Sequence, residues 1–326
     1  MKNILTADIG GTNSRFAHFT LDEKDTLVLN VTRWLETRKS TSFCHLLELL
    51  NQSEFSLPVD QSDIAVLAVA GPTINGIYSN PPNIPWEIDL SGDLENFNPM
   101  RCFLINDFVA QAYACRSPVI QSAKQIIPGQ IDPSAPLAVI GAGTGLGIAA
   151  LVPDGDGGYV AVPSEGGHCV FPFESPAEFE FMQFVMDELK APYVETEFIV
   201  SGRGLSLIHQ YLTGKKLTPA EVSAAVAHDS ETLKWAAGFY GRVCRNYALQ
   251  VLARGGVYIA GGVAAKMPLL VEHPEFERQF THSKTMASML QKIPVYLNTN
   301  EESGLWGAAF LATQKLKQQN RRVDDL

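Results

Sequence analysis

The chain alternates between apolar runs of strand length and longer stretches with helical periodicity. A buried strand is a short continuous apolar run, whereas an amphipathic helix places its apolar residues three or four positions apart. The runs predict strands at 3–9, 15–20, 64–70, 102–105, 137–140, 147–152 and 255–260. The periodic stretches predict helices at 42–50, 107–114, 175–189, 231–253 and 303–317. Because strands and helices alternate, the pattern predicts an α/β fold.

Glycine-rich turns follow three of the predicted strands. The turns in DIGGTN (8–13) and GAGTGLG (141–147) lead into a further strand, whereas the turn at 261–262 leads into a helix. A dinucleotide-binding turn needs a helix after its glycines, and a P-loop needs a lysine after its last glycine. The first turn meets neither requirement, because the residues after Asn13 alternate like a strand and no lysine follows the glycines. The sequence therefore predicts two glycine hairpins and one glycine turn before a helix.

One glycine hairpin is most often only a turn, but the recurrence of the pattern favours a nucleotide site. The two hairpins offer backbone amides and the hydroxyl groups of Thr12 and Thr144 to phosphates. At the third turn, Gly261 and Gly262 would let an adenine ring lie against backbone without Cβ atoms. Asp8 ends the first strand, and a single carboxylate is a suitable ligand for hydrated Mg²⁺ near phosphates.

The overall charge and the cysteine content limit the classes of partner. With 25 Lys and Arg against 35 Asp and Glu, the formal net charge is −10. This charge disfavours nucleic acid, because binding nucleic acid depends on neutralising phosphates. The five cysteines are scattered and form no C-x-x-C pair, which predicts reduced thiols in a cytoplasmic protein. No apolar run approaches the roughly 20 residues that span a membrane, so no membrane partner is expected.

Two further motifs carry candidate chemistry. Asn106 and Asp107 follow a buried strand, so we expect them at its carboxyl end, where α/β folds bind ligands. There a carboxylate could accept the proton of an attacking hydroxyl group, or the pair could simply cap the next helix. In SEGGH, Glu165 and His168 would suit a metal ion if they shared a helix, which the two intervening glycines disfavour. On a loop, the same two side chains suit the hydroxyl groups of a sugar.

The chain resembles a known ATPase fold, that of sugar kinases, actin and Hsp70, in the ordered motifs DIGGTN, GAGTGLG, GGVYIAGGVAAKM and SGLWGAAFLA. With INDF and EGGH added, it resembles the bacterial-type glucokinases, the hexokinase-related group without the ROK zinc motif, from residue 3 to about 317. The resemblance implies a two-lobed, ribonuclease H-like α/β fold with a cleft between a small domain (1–107 plus 303–326) and a large domain (108–302). It also implies ATP and Mg²⁺ as cofactors, D-glucose phosphorylated at its 6-hydroxyl group, and a homodimer.

The same resemblance implies roles for individual residues. The family aspartate that matches Asp107 is the catalytic base and contacts the sugar, which residues matching Asn106, Glu165 and His168 also bind. Glu197 in ETEFIVSG resembles the remaining sugar-binding glutamate, although Glu195 lies two residues before it. The implied nucleotide-binding residues are Asp8, Gly10, Gly11, Thr12, Asn13, Gly143, Thr144, Gly145, Gly261 and Gly262, with Asp8 holding Mg²⁺ through water. Only one cysteine, Cys169, follows His168, where ROK members carry a cysteine-rich zinc segment, so no zinc is expected.

The sequence leaves several alternatives open. The same fold could phosphorylate another hexose or an N-acetylhexosamine, or it could hydrolyse ATP without a sugar, as actin and Hsp70 do. ADP or polyphosphate could replace ATP, because backbone amides recognise phosphate more than base. A sugar-sensing repressor would need a DNA-binding domain before the first hairpin, where seven residues precede Asp8.

Overall fold

The protein forms two compact units in the computed structural model, which describes residues 1–57, 59–93 and 101–324. Unit 1 comprises Met1–Gln121 and Asn300–Leu326, and unit 2 comprises Ser122–Thr299. Residues 108–121 and 300–302, which the sequence assigned to the large domain, lie in unit 1. The helix that begins at Asp107 packs against the C-terminal helix, which residues 300–302 directly precede. Residues 325–326 of the predicted small domain lie outside the described ranges. No helix in those ranges is both long and apolar enough to cross a bilayer.

The main sheet of unit 1 is mixed. The strands of this unit are β1 (Lys2–Ile9), β2 (Asn13–Leu21), β3 (Leu27–Glu36), β4 (Ile64–Val69), β5 (Thr73–Ile74), β6 (Tyr78–Ser79), β7 (Ile88–Asp89) and β8 (Cys102–Asn106). Among the described residues, the main sheet has the order β3-β2-β1-β4-β8, and β5, β6 and β7 form a small separate sheet. β1 pairs antiparallel with β2 and parallel with β4, which pairs parallel with β8. The carboxyl ends of β1, β4 and β8 therefore meet at one edge of the sheet.

The main sheet of unit 2 repeats this arrangement. Its strands are β9 (Lys124–Ile127), β10 (Leu137–Ala142), β11 (Leu146–Pro153), β12 (Tyr159–Ser164), β13 (Val257–Ala260) and β14 (Val295–Leu297). The sheet has the order β12-β11-β10-β13-β14-β9 over the part of the chain that is described. β10 pairs antiparallel with β11 and parallel with β13, which pairs parallel with β14. Strand β10 thus has one antiparallel and one parallel neighbour, as β1 has in unit 1.

The longer helices of unit 2 and the first helix of unit 1 begin after polar capping residues. The helices are α1 (Phe43–Asn51), α2 (Leu90–Asp93), α3 (Asp107–Ala114), α4 (Pro176–Leu189), α5 (Thr196–Ile199), α6 (Gly202–Thr213), α7 (Pro219–Ala225), α8 (Glu231–Val251), α9 (Gly262–Lys266), α10 (Leu269–Glu272), α11 (Pro274–Thr281), α12 (Ala287–Leu290) and α13 (Ser303–Asp324). Ser42 caps α1, and Ser175 caps α4 with Pro176 at the first helical position. Thr218 and Glu221 form a complete capping box at α7.

Each unit has its own apolar core. In unit 1, Leu46 and Leu50 of α1 are fully buried and belong to the same core as Leu5 and Leu67 from the sheet. In unit 2, Phe181 of α4 and Phe239 of α8 stack with their ring centroids 6.0 Å apart. Apolar burial of this kind is the main stabilising contribution in domains of this size. It fixes the strand ends on which the candidate site residues lie.

Candidate functional site

The two glycine hairpins occupy equivalent positions in their sheets. The first joins β1 to β2 and the second joins β10 to β11. Gly10 N donates to Asn13 O at 3.1 Å, and Gly143 N donates to Gly145 O at 2.8 Å, so a short backbone hydrogen bond closes each turn. Because β2 begins at Asn13, the dinucleotide-binding alternative, which needs a helix there, is excluded.

The first hairpin is fixed by two neighbouring segments of unit 1. A Cβ atom at Gly11 would lie 2.6 Å from the carbonyl oxygen of Asn83, so a proline-rich loop approaches too closely for any other residue. On its other side, Thr37 N donates to Thr12 O at 3.0 Å, and Arg38 Nη2 donates to Thr12 Oγ1 at 3.3 Å. Sequence reasoning missed Arg38, because nothing in the local pattern relates it to a turn 26 positions away.

Asp8 lies in β1 directly opposite Arg15 of β2. Burial raises the pKa of the Asp8 carboxyl group, and the Arg15 guanidinium opposes that shift. A Cβ atom at Gly304, in the first turn of α13, would lie 3.5 Å from Asp8 Oδ2 and 3.6 Å from Gln111 Nε2. Because burial disfavours the charged carboxylate, a bound cation would favour it. Asp8 therefore fits the role of a single carboxylate partner for a largely hydrated Mg²⁺ ion.

Asn106 and Asp107 lie at the junction of β8 and α3. Asn106 Oδ1 accepts hydrogen bonds from the backbone N–H groups of Phe108 at 2.9 Å and Val109 at 3.3 Å, so the helix-capping role is present. Asn106 Nδ2 donates to Gly71 O at 3.1 Å, which ties the end of β8 to the segment after β4. The cap holds Asp107, which is half-buried, at the start of α3, where the helix dipole favours a negative charge.

An imidazole surrounded by carboxylates lies in unit 2. His168 ends a short 3₁₀ turn, Gly166–His168, so the segment predicted as a loop contains one tight turn and no α-helix. His168 Nδ1 lies 2.8 Å from Glu195 Oε2 and 3.9 Å from Glu197 Oε1, and Nε2 lies 3.8 Å from Glu165 Oε2. The structure thus brings Glu165, His168 and Glu197 together, and it adds Glu195 to them.

The carboxylates control the charge of this imidazole. The hydrogen bond to Glu195 raises the pKa of His168, partial burial opposes the shift, and the charges of Glu197, Glu195 and Glu165 add to it. Ligand atoms of His168, Glu195 and Glu197 lie within 4.8 Å of one another, a spacing that a metal ion could bridge. A carboxylate only accepts hydrogen bonds, so Nδ1 carries a proton toward Glu195 and is not a free ligand atom. The cluster is therefore best described as a hydrogen-bonded network.

The second glycine hairpin and the carboxylate cluster are in direct contact. A Cβ atom at Gly145 would lie 2.5 Å from Glu197 Oε2, so the carboxylate rests on the bare backbone of the turn. The turn before His168 is packed as closely, since a Cβ atom at Gly167 would overlap Leu146 O. Gly202 N, at the start of α6, donates to Gly143 O at 3.0 Å. Through these contacts the second glycine hairpin, the start of α6 and the carboxylate cluster around His168 lie together in unit 2.

A large pocket opens beside this hairpin. Its volume is about 940 Å³, which is within the range of small-molecule and cofactor sites. It is lined by Gly143, Thr144, Gly202, Arg203, Leu205, Ser206, Thr218, Pro219, Ala220, Ser223, Gly262, Val263, Lys266 and Met267. The Ser206 hydroxyl oxygen is buried and has no hydrogen-bond partner among the described residues. The pocket therefore combines an apolar lining with polar groups, of which Arg203 and Lys266 are cationic.

The third glycine turn forms part of the same pocket wall. Gly261 has a φ of +85°, and a Cβ atom there would lie 2.6 Å from Ala142 O at the end of β10. Only glycine combines this backbone conformation with such a close approach. Gly262 then begins α9 and lines the pocket with Gly143 and Thr144. Two glycine turns distant in sequence thus meet because β10 and β13 are parallel neighbours.

Known proteins resemble this chain over almost its whole length. A family model described as glucokinase matches residues 5–315. A glucokinase of Synechocystis sp. is 30% identical over 96% of this chain and 98% of its own length, and one of Chromobacterium violaceum is 33% identical over 94% and 88%. The crystal structure of a glucokinase from an Antarctic psychrotroph matches with a TM-score of 0.81 at 29% identity, covering 96% of this chain and 99% of that one. The predicted sugar-kinase fold is confirmed, and the chain belongs to the glucokinase family.

Proposed function

We propose that the chain transfers the γ-phosphoryl group of ATP to the 6-hydroxyl group of D-glucose, giving glucose 6-phosphate and ADP. The observation that carries this proposal is the contact between Glu197 and Gly145, in which a carboxylate suited to sugar hydroxyl groups rests on a glycine turn suited to phosphate. Phosphoryl transfer depends mainly on holding donor and acceptor in line. Membership of the glucokinase family supports the same reaction.

Asp107 is the catalytic base in this proposal. Its carboxylate accepts the proton of the 6-hydroxyl group while the hydroxyl oxygen attacks the γ-phosphorus. Asn106 supports this role because its cap bonds fix the start of α3 and so the backbone that carries Asp107. One of the two N–H bonds of the Asn106 amide is used by Gly71 O, and the second is directed to a sugar hydroxyl group.

The glycine turns and their threonines bind the phosphates. The hydroxyl groups of Thr12 and Thr144 donate to phosphate oxygens, together with backbone amides of Gly11, Asn13 and Gly145. The N–H groups of Gly10 and Gly143 hold the two turns closed around the phosphates. Asp8 would hold a hydrated Mg²⁺ ion, which would supply positive charge that offsets the charge of the phosphates. Arg38, which already donates to Thr12, adds a guanidinium group on the same side of the turn.

The pocket in unit 2 binds the nucleoside. Its apolar residues suit the faces of a purine ring, and Gly261 and Gly262 let the ring approach backbone directly. Polyphosphate has no apolar part, so this lining favours a nucleotide as the donor. Among nucleotides, ATP is the donor that family membership supports.

Glu165, His168 and Glu197 bind the sugar hydroxyl groups. Glu165 is the most exposed carboxylate of the cluster, with 70% of its side chain accessible, so it is free to turn toward a ligand. We expect Glu165→Gln to raise the KM for glucose about tenfold or more, because a charge-assisted hydrogen bond is replaced by a weaker neutral one. Initial rates measured over a range of glucose concentrations test this. An unchanged KM would remove Glu165 from the sugar site.

The contact between Glu197 and Gly145 gives a second prediction. A methyl group in Gly145→Ala would displace the Glu197 carboxylate, so we expect the KM for glucose to rise about tenfold while the fold is kept, because a side-chain end can move. Gly143→Ala in the same turn is the matched control, since its added Cβ would meet no described atom within 4 Å. Equal glucose KM values for the two variants would contradict the role of Glu197.

A coupled kinase assay tests the proposed reaction. Glucose, mannose, fructose and N-acetylglucosamine are offered with ATP, ADP or polyphosphate, and kcat/KM is compared across the pairs. The highest value is expected for glucose with ATP in the presence of Mg²⁺. A higher value for N-acetylglucosamine would favour an N-acetylhexosamine kinase, and ATP turnover independent of any sugar would favour an actin-like ATPase.

We also propose the remaining properties that family membership suggests. The protein acts as a homodimer in the cytoplasm and uses no zinc. The cytoplasmic location is supported by the five cysteines, none of which forms a disulfide bond within the described residues and three of which are buried. Light scattering of the purified chain and metal analysis by mass spectrometry test the assembly and the absence of zinc.

A further inference from the structure

Glu195 makes the shortest contact of the carboxylate cluster, yet the resemblance to glucokinases assigned it no role. Its Oε2 atom lies 2.8 Å from His168 Nδ1, and 19% of its side chain is accessible. Glu195 occupies the position before α5, where a short polar side chain such as Ser, Thr, Asp or Asn usually caps the helix. Its carboxylate makes no cap hydrogen bond and is directed to His168. The side chain therefore contacts the imidazole and takes no part in capping the helix.

The backbone holds the two residues at this distance. An antiparallel bridge pairs Val170 with Glu195, and Phe171 N donates to Val194 O at 2.9 Å. Thr196 adds two hydrogen bonds to Cys169 O, from its backbone N–H and from its hydroxyl group, each 2.8 Å long. Three hydrogen bonds, two of which form the bridge, thus join the segment after His168 to the segment around Glu195. The separation of the two side chains is set by paired backbone, so it does not depend on flexible loops.

We propose that Glu195 is a positioning residue for glucose binding: it holds the Nδ1–H of His168, so that Nε2–H is the atom presented to a sugar oxygen. This inference rests on the proposed function, since it concerns how the same site recognises its sugar. Because a carboxylate only accepts hydrogen bonds, the pair fixes both the orientation of the ring and the nitrogen that keeps its proton.

The negative charge around the ring also favours a proton on Nε2. The ionisable groups that face His168 are Glu165 from the start of its own turn and Glu195 and Glu197 from the start of α5. Strand β11, which also packs against this turn, carries no ionisable side chain. The raised pKa of His168 has Glu195 as its largest cause. The imidazolium is therefore present below the raised pKa and is lost as the pH rises through it.

Substituting Glu195 with glutamine or with alanine separates its effect on the orientation of the His168 ring from the effect of its negative charge. Glu195→Gln keeps an acceptor oxygen for Nδ1–H but removes the negative charge, whereas Glu195→Ala removes both. We expect the glutamine variant to match the wild-type KM for glucose at low pH and to lose glucose affinity at a lower pH than the wild type does. The alanine variant should have a KM about tenfold higher at every pH, with a smaller change in kcat.

The protonation of His168 can be measured by NMR titration in the absence of substrate. Ring signals in ¹H–¹⁵N spectra of the full-length chain, assigned with His168→Gln, are titrated in the wild type, in Glu195→Gln and in Glu277→Gln. Glu277 is an exposed glutamate of α11 in unit 2 and serves as the matched control for loss of one charge. The titration midpoint of His168 should move to lower pH in Glu195→Gln and stay unchanged in Glu277→Gln.

Each result supports or overturns one statement. Equal His168 midpoints in the wild type and Glu195→Gln would overturn the pairing. A shifted midpoint with identical pH profiles of the glucose KM would overturn the positioning role. If the wild type phosphorylates no glucose at all, the proposed function fails, and the role of Glu195 in sugar binding fails with it, whatever the titration shows.

Discussion

Replacing Asp107 with alanine is expected to lower kcat for glucose phosphorylation about 100-fold or more, while glucose still binds measurably. The reason is that a positioned base contributes roughly 10²- to 10⁴-fold to a proton transfer. Asp107 begins α3, and Asn106 Oδ1 accepts the two backbone hydrogen bonds that cap this helix, so the cap survives the substitution. Steady-state rates and calorimetric titration with glucose measure the two effects separately.

Two further variants make this result specific. Asp107→Asn keeps the shape of the side chain and loses only the base, so its kcat should be as low as that of the alanine variant. Asp89→Asn removes a carboxylate at the end of β7, directly before α2, in the same unit, and its kcat should match the wild type. A kcat within a few-fold of wild type for both Asp107 variants would show that another group takes the proton.

The strands with the clearest sequence signal are those that are buried on both faces. All six residues of β4 and all six of β10 are buried, so their apolar runs reveal them. Strand β3, Leu27–Glu36, has no fully buried residue and carries Trp34 with 47% of its surface exposed. It is an edge strand, held by backbone pairing to β2, and such pairing leaves little apolar pattern to detect.

The candidate site residues were predictable from sequence where they directly follow the end of a buried strand. Asn106 and Asp107, and the glycines at 143 and 261, were predicted because each directly follows a buried strand. Glu197 was preferred to Glu195 because of its position before FIVSG in the resemblance, and the sequence itself does not show which of the two glutamates lies nearer to His168. Only the bridge between Val170 and Glu195 determines which of them reaches His168. Contacts between distant segments of this kind have no local signal.

The removal of Glu178 is expected to lower the free energy of unfolding of unit 2 by about 3 kcal/mol, because it leaves a buried charge without its main partner. That charge belongs to Arg242 of α8, which is 1% exposed. Its Nη1 and Nη2 atoms donate to the two carboxylate oxygens of Glu178 at 2.6 Å and 2.9 Å. Urea unfolding of Glu178→Ala, followed by circular dichroism, measures the loss.

An exposed ion pair on the same helix provides the control. Glu231 and Lys234 of α8 lie 3.0 Å apart, and more than half of each side chain is accessible. Exposed pairs of this kind contribute little, so Glu231→Ala should leave the unfolding midpoint nearly unchanged. Equal midpoints for Glu178→Ala and Glu231→Ala would show that Arg242 is solvated or paired in another way.

The double variant Glu178→Leu with Arg242→Met determines what the buried pair contributes. Replacing both charges leaves no unpaired ion, and the rings of Phe171 and Phe239, 5.8 Å and 5.5 Å from the Arg242 guanidinium, offer an apolar surface to methionine. We therefore expect the double variant to be more stable than Glu178→Ala, since replacing a whole buried pair usually costs less than breaking it. If the double variant is the less stable of the two, the stability lost in Glu178→Ala reflects packing around Arg242, and the unpaired charge is not its cause.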